Sequence, residues 1–159
     1  MPKILLPSDG ASGGPNATAT CFCTAVQISF PINSVSNTHV CHCSDCHKIH
    51  STMFGTNFVI PADVTTHNRG KEKLTMYSEN HTTTTGNTME NHFCSVCGTV
   101  MYRIGSGFPG MLIGRVATVD DFELMESVLK PEVEEYVENR VGWLKGVEGA
   151  RQVEGFAFK

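Results

Sequence analysis

The sequence predicts a mainly β fold of short antiparallel strands built around metal-binding cysteine clusters, and three observations carry that expectation. Short segments alternate apolar and polar residues with the period of a strand. Turn residues separate those segments at close intervals. All seven cysteines of the 159-residue chain fall into three tight clusters: CFC at 21–23, CHCSDC at 41–46 and CSVCG at 94–98.

Taken in chain order, residues 1–19 read as a flexible arm, because PSDGASGGPNATAT at 7–20 is almost wholly small, polar or turn-forming. Residues 20–159 then form one domain, a size sufficient for a single hydrophobic core. TAVQISF, SVSNTHV, LTMYS, TVMYRI and MLIGRV alternate like strands, punctuated by Pro31, Asn68 to Gly70 and Gly105 to Gly110. DDFELMESVLK predicts one or two helical turns after an Asp cap, stopped by Pro131. The tail PEVEEYVENRVGWLKGVEG reads as a covering segment that lays Val133, Tyr136, Val137 and Trp143 on the sheet.

Composition narrows the function. Hydrophobic residues make up 40% and charged residues 18%, a globular balance, and the net charge of −4 gives nucleic acid or an anionic membrane little to hold. No segment approaches the roughly 20 consecutive apolar residues of a transmembrane helix, so neither anchor nor signal peptide is expected. A cytoplasmic location follows, where thiols stay reduced and seven cysteines are poorly explained as disulfides.

Metal binding is the better account of the clusters. CxxC followed by Gly is a tight turn that points two sulfurs the same way, half of a tetrahedral zinc site. CFC supplies the other half if a turn brings its alternate thiols to one side. That leaves Cys41, Cys43 and Cys46 as a separate triplet, and three ligands with one open position are what a catalytic zinc requires. A redox pair at CSVC, and iron in place of zinc, stay open on spacing alone.

CFCTAV, CHCSDCHK, HFCSVCGTVMY, FPGMLIGRVATVDD and PEVEEYVENRVGWLKGVEGARQVEG together resemble the glutathione-dependent formaldehyde-activating enzyme family, also called the CENP-V/GFA domain. The resemblance runs from about Thr20 to about Glu154. It implies an Mss4-like fold with two zinc ions per chain: a structural one on Cys21, Cys23, Cys94 and Cys97, and a catalytic one on Cys41, Cys43 and Cys46. Family members commonly carry arginine directly after the third middle cysteine and glycine a few residues on, where this chain has His47 and Ser51.

A zinc ion held by three thiolates is a weak Lewis acid toward water and favours a soft fourth ligand, so the expected incoming group is a thiol. The leading expectation is a carbon–sulfur lyase acting on glutathione or on a thiol adduct of a small molecule, by S-(hydroxymethyl)glutathione formation or by C–S cleavage. His47 is the candidate for proton transfer, with His42 and His50 in the same segment. Lys48, Phe54 and Asn57 are the candidates for holding glutathione, with Ser51 and Thr56 beside them. A small-molecule thiol or thioether is the expected partner, and a homodimer is left open. The competing class is a non-enzymatic zinc-stabilised interaction module of the CENP-V type, which would be expected to carry a basic or low-complexity extension that this chain lacks.

Overall fold

The structure is a computed structural model that describes residues 7–83 and 85–158. Eleven strands and two short helices are present among the described residues. β1 (Asn16–Thr20), β2 (Gln27–Pro31) and β5 (Thr66–Arg69) form a three-stranded antiparallel sheet in the order β1, β2, β5. The second sheet has eight strands. From one edge they run β11 (Arg151–Val153), β10 (Val133–Glu135), β3 (Asn37–Cys41), β4 (Gly55–Pro61), β9 (Met111–Arg115), β8 (Val100–Gly105), β7 (Met89–Cys94) and β6 (Leu74–Glu79). From β3 to β6 every pairing is antiparallel, whereas β10 lies parallel to both β3 and β11.

Strand periodicity divides the large sheet into two unlike faces. Phe58 and Ile60 on β4 and Leu112 on β9 turn toward the small sheet, where Ala17, Ala19, Ile28 and Phe30 meet them in the main core. Phe30 and Phe58 pack with ring centroids 4.9 Å apart. The alternate positions, His39 and Cys41 on β3, Asn57 on β4, Ile113 and Arg115 on β9, Arg103 on β8 and Glu135 on β10, share the opposite face and line a cavity. One face is thus an apolar core and the other a polar site.

α1 (Ser44–His50) and α2 (Phe122–Glu126) are short. The Asp cap expected for α2 is present, with Asp121 accepting from the Glu123 amide. α1 begins within CHCSDCH: Cys43 caps it by accepting from the Cys46 amide, and Asp45 lies in its first turn.

Two sequence expectations need correction. The arm does not extend to residue 19, because Asn16–Thr20 are a strand with Ala17 and Ala19 fully buried; residues 1–6 lie outside the described residues. Thr18 and Thr20 each donate to Asp120, which is how so polar a strand can be buried. The tail does more than cover the sheet. Val133–Glu135 enters it as a strand, with Val133 buried and Tyr136 and Val137 half-buried, while Trp143 is 75% exposed in the turn-rich stretch beyond.

Gly114 on β9 sits opposite Phe58 in register, and a Cβ there would come 2.3 Å from the Phe58 ring. Gly114→Ala is expected to lower stability by about 2 kcal/mol, read from the urea midpoint. Combined with Phe58→Leu the loss should be less than additive, since both changes act on one contact.

Candidate functional site

The seven cysteines are free thiols that separate into two groups. Cys21 follows β1 and Cys23 lies in the turn before β2, where Thr24 takes a left-handed φ of 63° and donates its amide to the Cys21 carbonyl. Cys94 ends β7, and Cys97 lies in the turn to β8, which Gly98 closes at φ 75°. The four Sγ atoms all lie within 4.8 Å of one another, with Cys21 to Cys23 at 3.6 Å and Cys23 to Cys94 at 3.8 Å. A tetrahedral zinc with Zn–S bonds of about 2.3 Å separates its sulfurs by about 3.8 Å, so this group fits that ion. The Val26 amide donates to Cys21, and the Thr99 hydroxyl lies 3.2 Å from the Cys97 sulfur. Burial pushes the Cys21 thiol up to about 12. Burial works against Cys97 too, yet hydrogen bonds from Thr99 bring it down to about 6.

Cys41, Cys43 and Cys46 form the second group, again with sulfurs within 4.8 Å. Cys41 is the last residue of β3, Cys43 the cap of α1 and Cys46 a buried residue in its first turn. One thiolate is favoured within the triplet: hydrogen bonds from Cys41 and Cys46, aided by the charge of Arg103, hold Cys43 down at about 2, while Cys41 is pushed far upward. Gly55 pairs with Cys41, and a Cβ there would meet the His50 ring at 2.3 Å, so the bare backbone makes room for α1.

All three cysteines border a cavity of about 540 Å³. Its polar wall contains His39, Asn57, Arg103, Arg115 and Glu135, and Phe108, Phe156 and Phe158 stand edge to face on an apolar side. Burial pushes His39 down to about 4, helped by Arg115 and Arg103, so it is neutral at pH 7. Burial raises Glu135 to about 7, against a hydrogen bond from the Ala157 amide. Burial and then the neighbouring Arg103 charge lower Arg115 to about 9.

The sequence candidates divide around this cavity. Asn57 lines it, whereas Lys48 is exposed and Phe54 packs against His42 at 6.2 Å, and neither is among the lining residues. His47 also lies off the cavity, edge-on to His42 at 6.4 Å, with Nε2 buried and unpartnered. His42 is fully buried, bonded through Nε2 to Glu134 at 2.7 Å and placed with Nδ1 3.2 Å from the Met53 carbonyl. Glu134 also accepts from Arg140, Gln152 and the Val147 amide, locking the cysteine loop to the tail. Burial opposes ionisation, yet these donors hold its carboxyl down at about 2. Arg103, Arg115, Glu134, Glu135 and His39 went unmarked in the sequence, although both arginines fall within strands that alternation identified.

Fold and site define a mainly β protein with two cysteine clusters able to hold metal, one of them facing a cavity. The profile of the glutathione-dependent formaldehyde-activating enzyme family matches residues 16–139, and the chain belongs to that family. A protein of Talaromyces marneffei, whose name assigns it provisionally as a glutathione-dependent formaldehyde-activating enzyme, is 29% identical over 94 residues. That match covers 58% of this chain and 47% of the relative, so the chain spans about half the length of the curated relative it matches. A Rhodobacter sphaeroides protein of known crystal structure aligns with a TM-score of 0.50 at 18% identity, covering 86% of this chain and 98% of that one, a likeness of fold. Among the described residues no helix is long and apolar enough to cross a membrane.

Ser51, where the resemblance leads one to expect glycine, caps α1 at φ 53° and ψ 36°. Left-handed backbone costs a residue with a Cβ about 1 kcal/mol, so Ser51→Gly is expected to stabilise the protein by about that much in thermal denaturation. Glu134→Gln should cost about 3 kcal/mol at neutral pH by leaving His42 and Arg140 without their buried anion. Because the native carboxyl titrates near 2 and the unfolded one near 4.5, this difference is full above pH 4.5 and should close as pH falls toward 2.

Proposed function

We propose that this chain is a zinc-dependent carbon–sulfur lyase that joins glutathione, or a related thiol, to a small carbonyl compound and runs the same step in reverse. The observation that supports it most is the three-cysteine group set against a cavity, beside a second group of four that is complete in itself. Cys21, Cys23, Cys94 and Cys97 would hold a structural zinc, and Cys41, Cys43 and Cys46 a second one on the cavity wall. Bound there, zinc would supply a Lewis acid that favours the thiolate form of an entering thiol.

The chain's own residues then have definite tasks. Arg103 and Arg115 favour anionic species in the cavity by their buried positive charge. Glu135 pairs with Cys41 across β10 and β3 and turns to the same face, the position from which a carboxylate can take the thiol proton. His47 has no place in this step, since its ring lies off the cavity. The sulfur forms a bond to the carbonyl carbon, the C=O electron pair moves onto oxygen, and that oxygen takes up the proton the thiol gave. With formaldehyde the product is S-(hydroxymethyl)glutathione. The reverse step returns the proton to the departing thiol. The reading belongs to a reducing compartment, the cytoplasm, where glutathione is plentiful and the seven thiols stay reduced. A zinc-stabilised interaction module would have no use for a cavity of this size at its metal group.

Cobalt(II) in place of zinc makes the test visible. Glutathione is expected to intensify the sulfur-to-cobalt charge-transfer absorption of the wild type. Cys43→Ser should abolish that response while keeping the absorption of the four-cysteine group. An unchanged wild-type spectrum at saturating glutathione, with two cobalt ions bound, would overturn the reading.

A further inference from the structure

Among the described residues, no carboxylate pairs with either of two arginines on the cavity face. Arg103 and Arg115 are 8% and 5% exposed, and among the described residues neither forms an ion pair. A buried guanidinium without a carboxylate partner is costly, and a fold that holds two of them beside one small cysteine cluster has set up a preference for a further anion. Neutral amides steady them. Asn57 Oδ1 accepts from Arg115 Nη1, and Asn91 Oδ1 accepts from Arg115 Nη2 at 3.4 Å and from Arg103 Nε at 3.0 Å.

These contacts leave donors free. Arg115 Nε is buried with no partner, and the only hydrogen bond of the Arg103 side chain among the described residues is the one through Nε. Both side chains line the cavity that contains the cysteine triplet. The cavity also holds Asp45, Glu135 and Glu138, and none of them pairs with either arginine. Glu135 accepts from the Ala157 amide at 2.9 Å and faces His39 at 4.0 Å. Fixed guanidinium forks with open N–H groups match the two oxygens of a carboxylate.

We infer that Arg103 and Arg115, steadied by Asn57 and Asn91, form a carboxylate-binding subsite, and that the substrate is a thiol or thiol adduct that carries a carboxylate. The inference rests on the proposed entry of a substrate sulfur at Cys41, Cys43 and Cys46, and it adds a second fixed point, so that the ligand is oriented from both ends. Asn57 has a role here different from direct contact with glutathione: it positions Arg115.

The test compares two ligands with the same sulfur, glutathione and its diethyl ester, by calorimetric titration of the zinc-loaded protein. The ester is expected to bind at least about tenfold more weakly, the loss of a charge-assisted hydrogen-bond pair. In Arg115→Gln, glutathione should weaken by a similar factor, the ester should change little, and the selectivity should collapse; Arg115→Lys should recover part of it. Equal binding of acid and ester to the wild type would overturn the inference, and this arm stands even if a variant fails to fold. Equal losses for both ligands in Arg115→Gln would also overturn it, leaving the arginines to balance the charge of the thiolates. Failure of the sulfur-entry reading has a separate signature. In that case acid and ester both leave the cobalt absorption unchanged, while their calorimetric difference still decides the subsite.

Discussion

Four sulfurs drawn from two turns tie the small sheet to the large one, and the rest of the site takes its position from that tie. Cys21 and Cys23 come from the β1–β2 turn, Cys94 and Cys97 from the β7–β8 turn, and their spacing suits one tetrahedral ion. The tie commits the small sheet to one face of the large sheet, where Ala17, Ala19, Ile28 and Phe30 close the core. The other face is left free to be polar. Both turns depend on left-handed backbone, at Thr24 and Gly98, so local chain geometry shapes each half of the group and long-range packing brings the two halves together.

That free face explains the density of buried charge. Cys41, two arginines, a glutamate and a histidine occupy alternate positions on neighbouring strands, because a period of two brings every second side chain to the same side. Such groups are costly to bury singly and are retained where they act on something. The contrast with Glu134 is instructive. It is one residue from Glu135 and equally buried, but it is saturated with donors from His42, Arg140, Gln152 and Val147, and serves to hold the cysteine loop against the tail. One carboxylate is structural and satisfied; its neighbour faces the cavity.

What the sequence made legible was local. The cysteine clusters stand out because ligand spacing is written in consecutive residues, and the structure gathers them into the same groups of four and three. Strands β2, β3, β6, β8 and β9 and the Asp121 cap were visible for the same reason. Other features depend on partners far along the chain. β1 reads as an arm until Asp120 accepts its two threonine hydroxyls, and the run around Glu134 reads as a covering segment until β3 and β11 enclose it as a strand. α1 is seven residues long and capped by a cysteine sulfur, a signal that the metal motif masks. Ser51 stood out as a departure from glycine and as a neighbour of the glutathione candidates; it does not line the cavity, and its left-handed backbone gives the departure a physical meaning.

The division of the seven sulfurs into a closed group and an open one is the claim on which the proposed chemistry rests. X-ray absorption at the zinc edge of the fully loaded protein counts those sulfurs directly. Seven shared by two ions predict an average of about 3.5 per zinc, with a lighter ligand making up the difference, rising to about 4 when glutathione is added. One zinc per chain, or an average that glutathione does not raise, would contradict it.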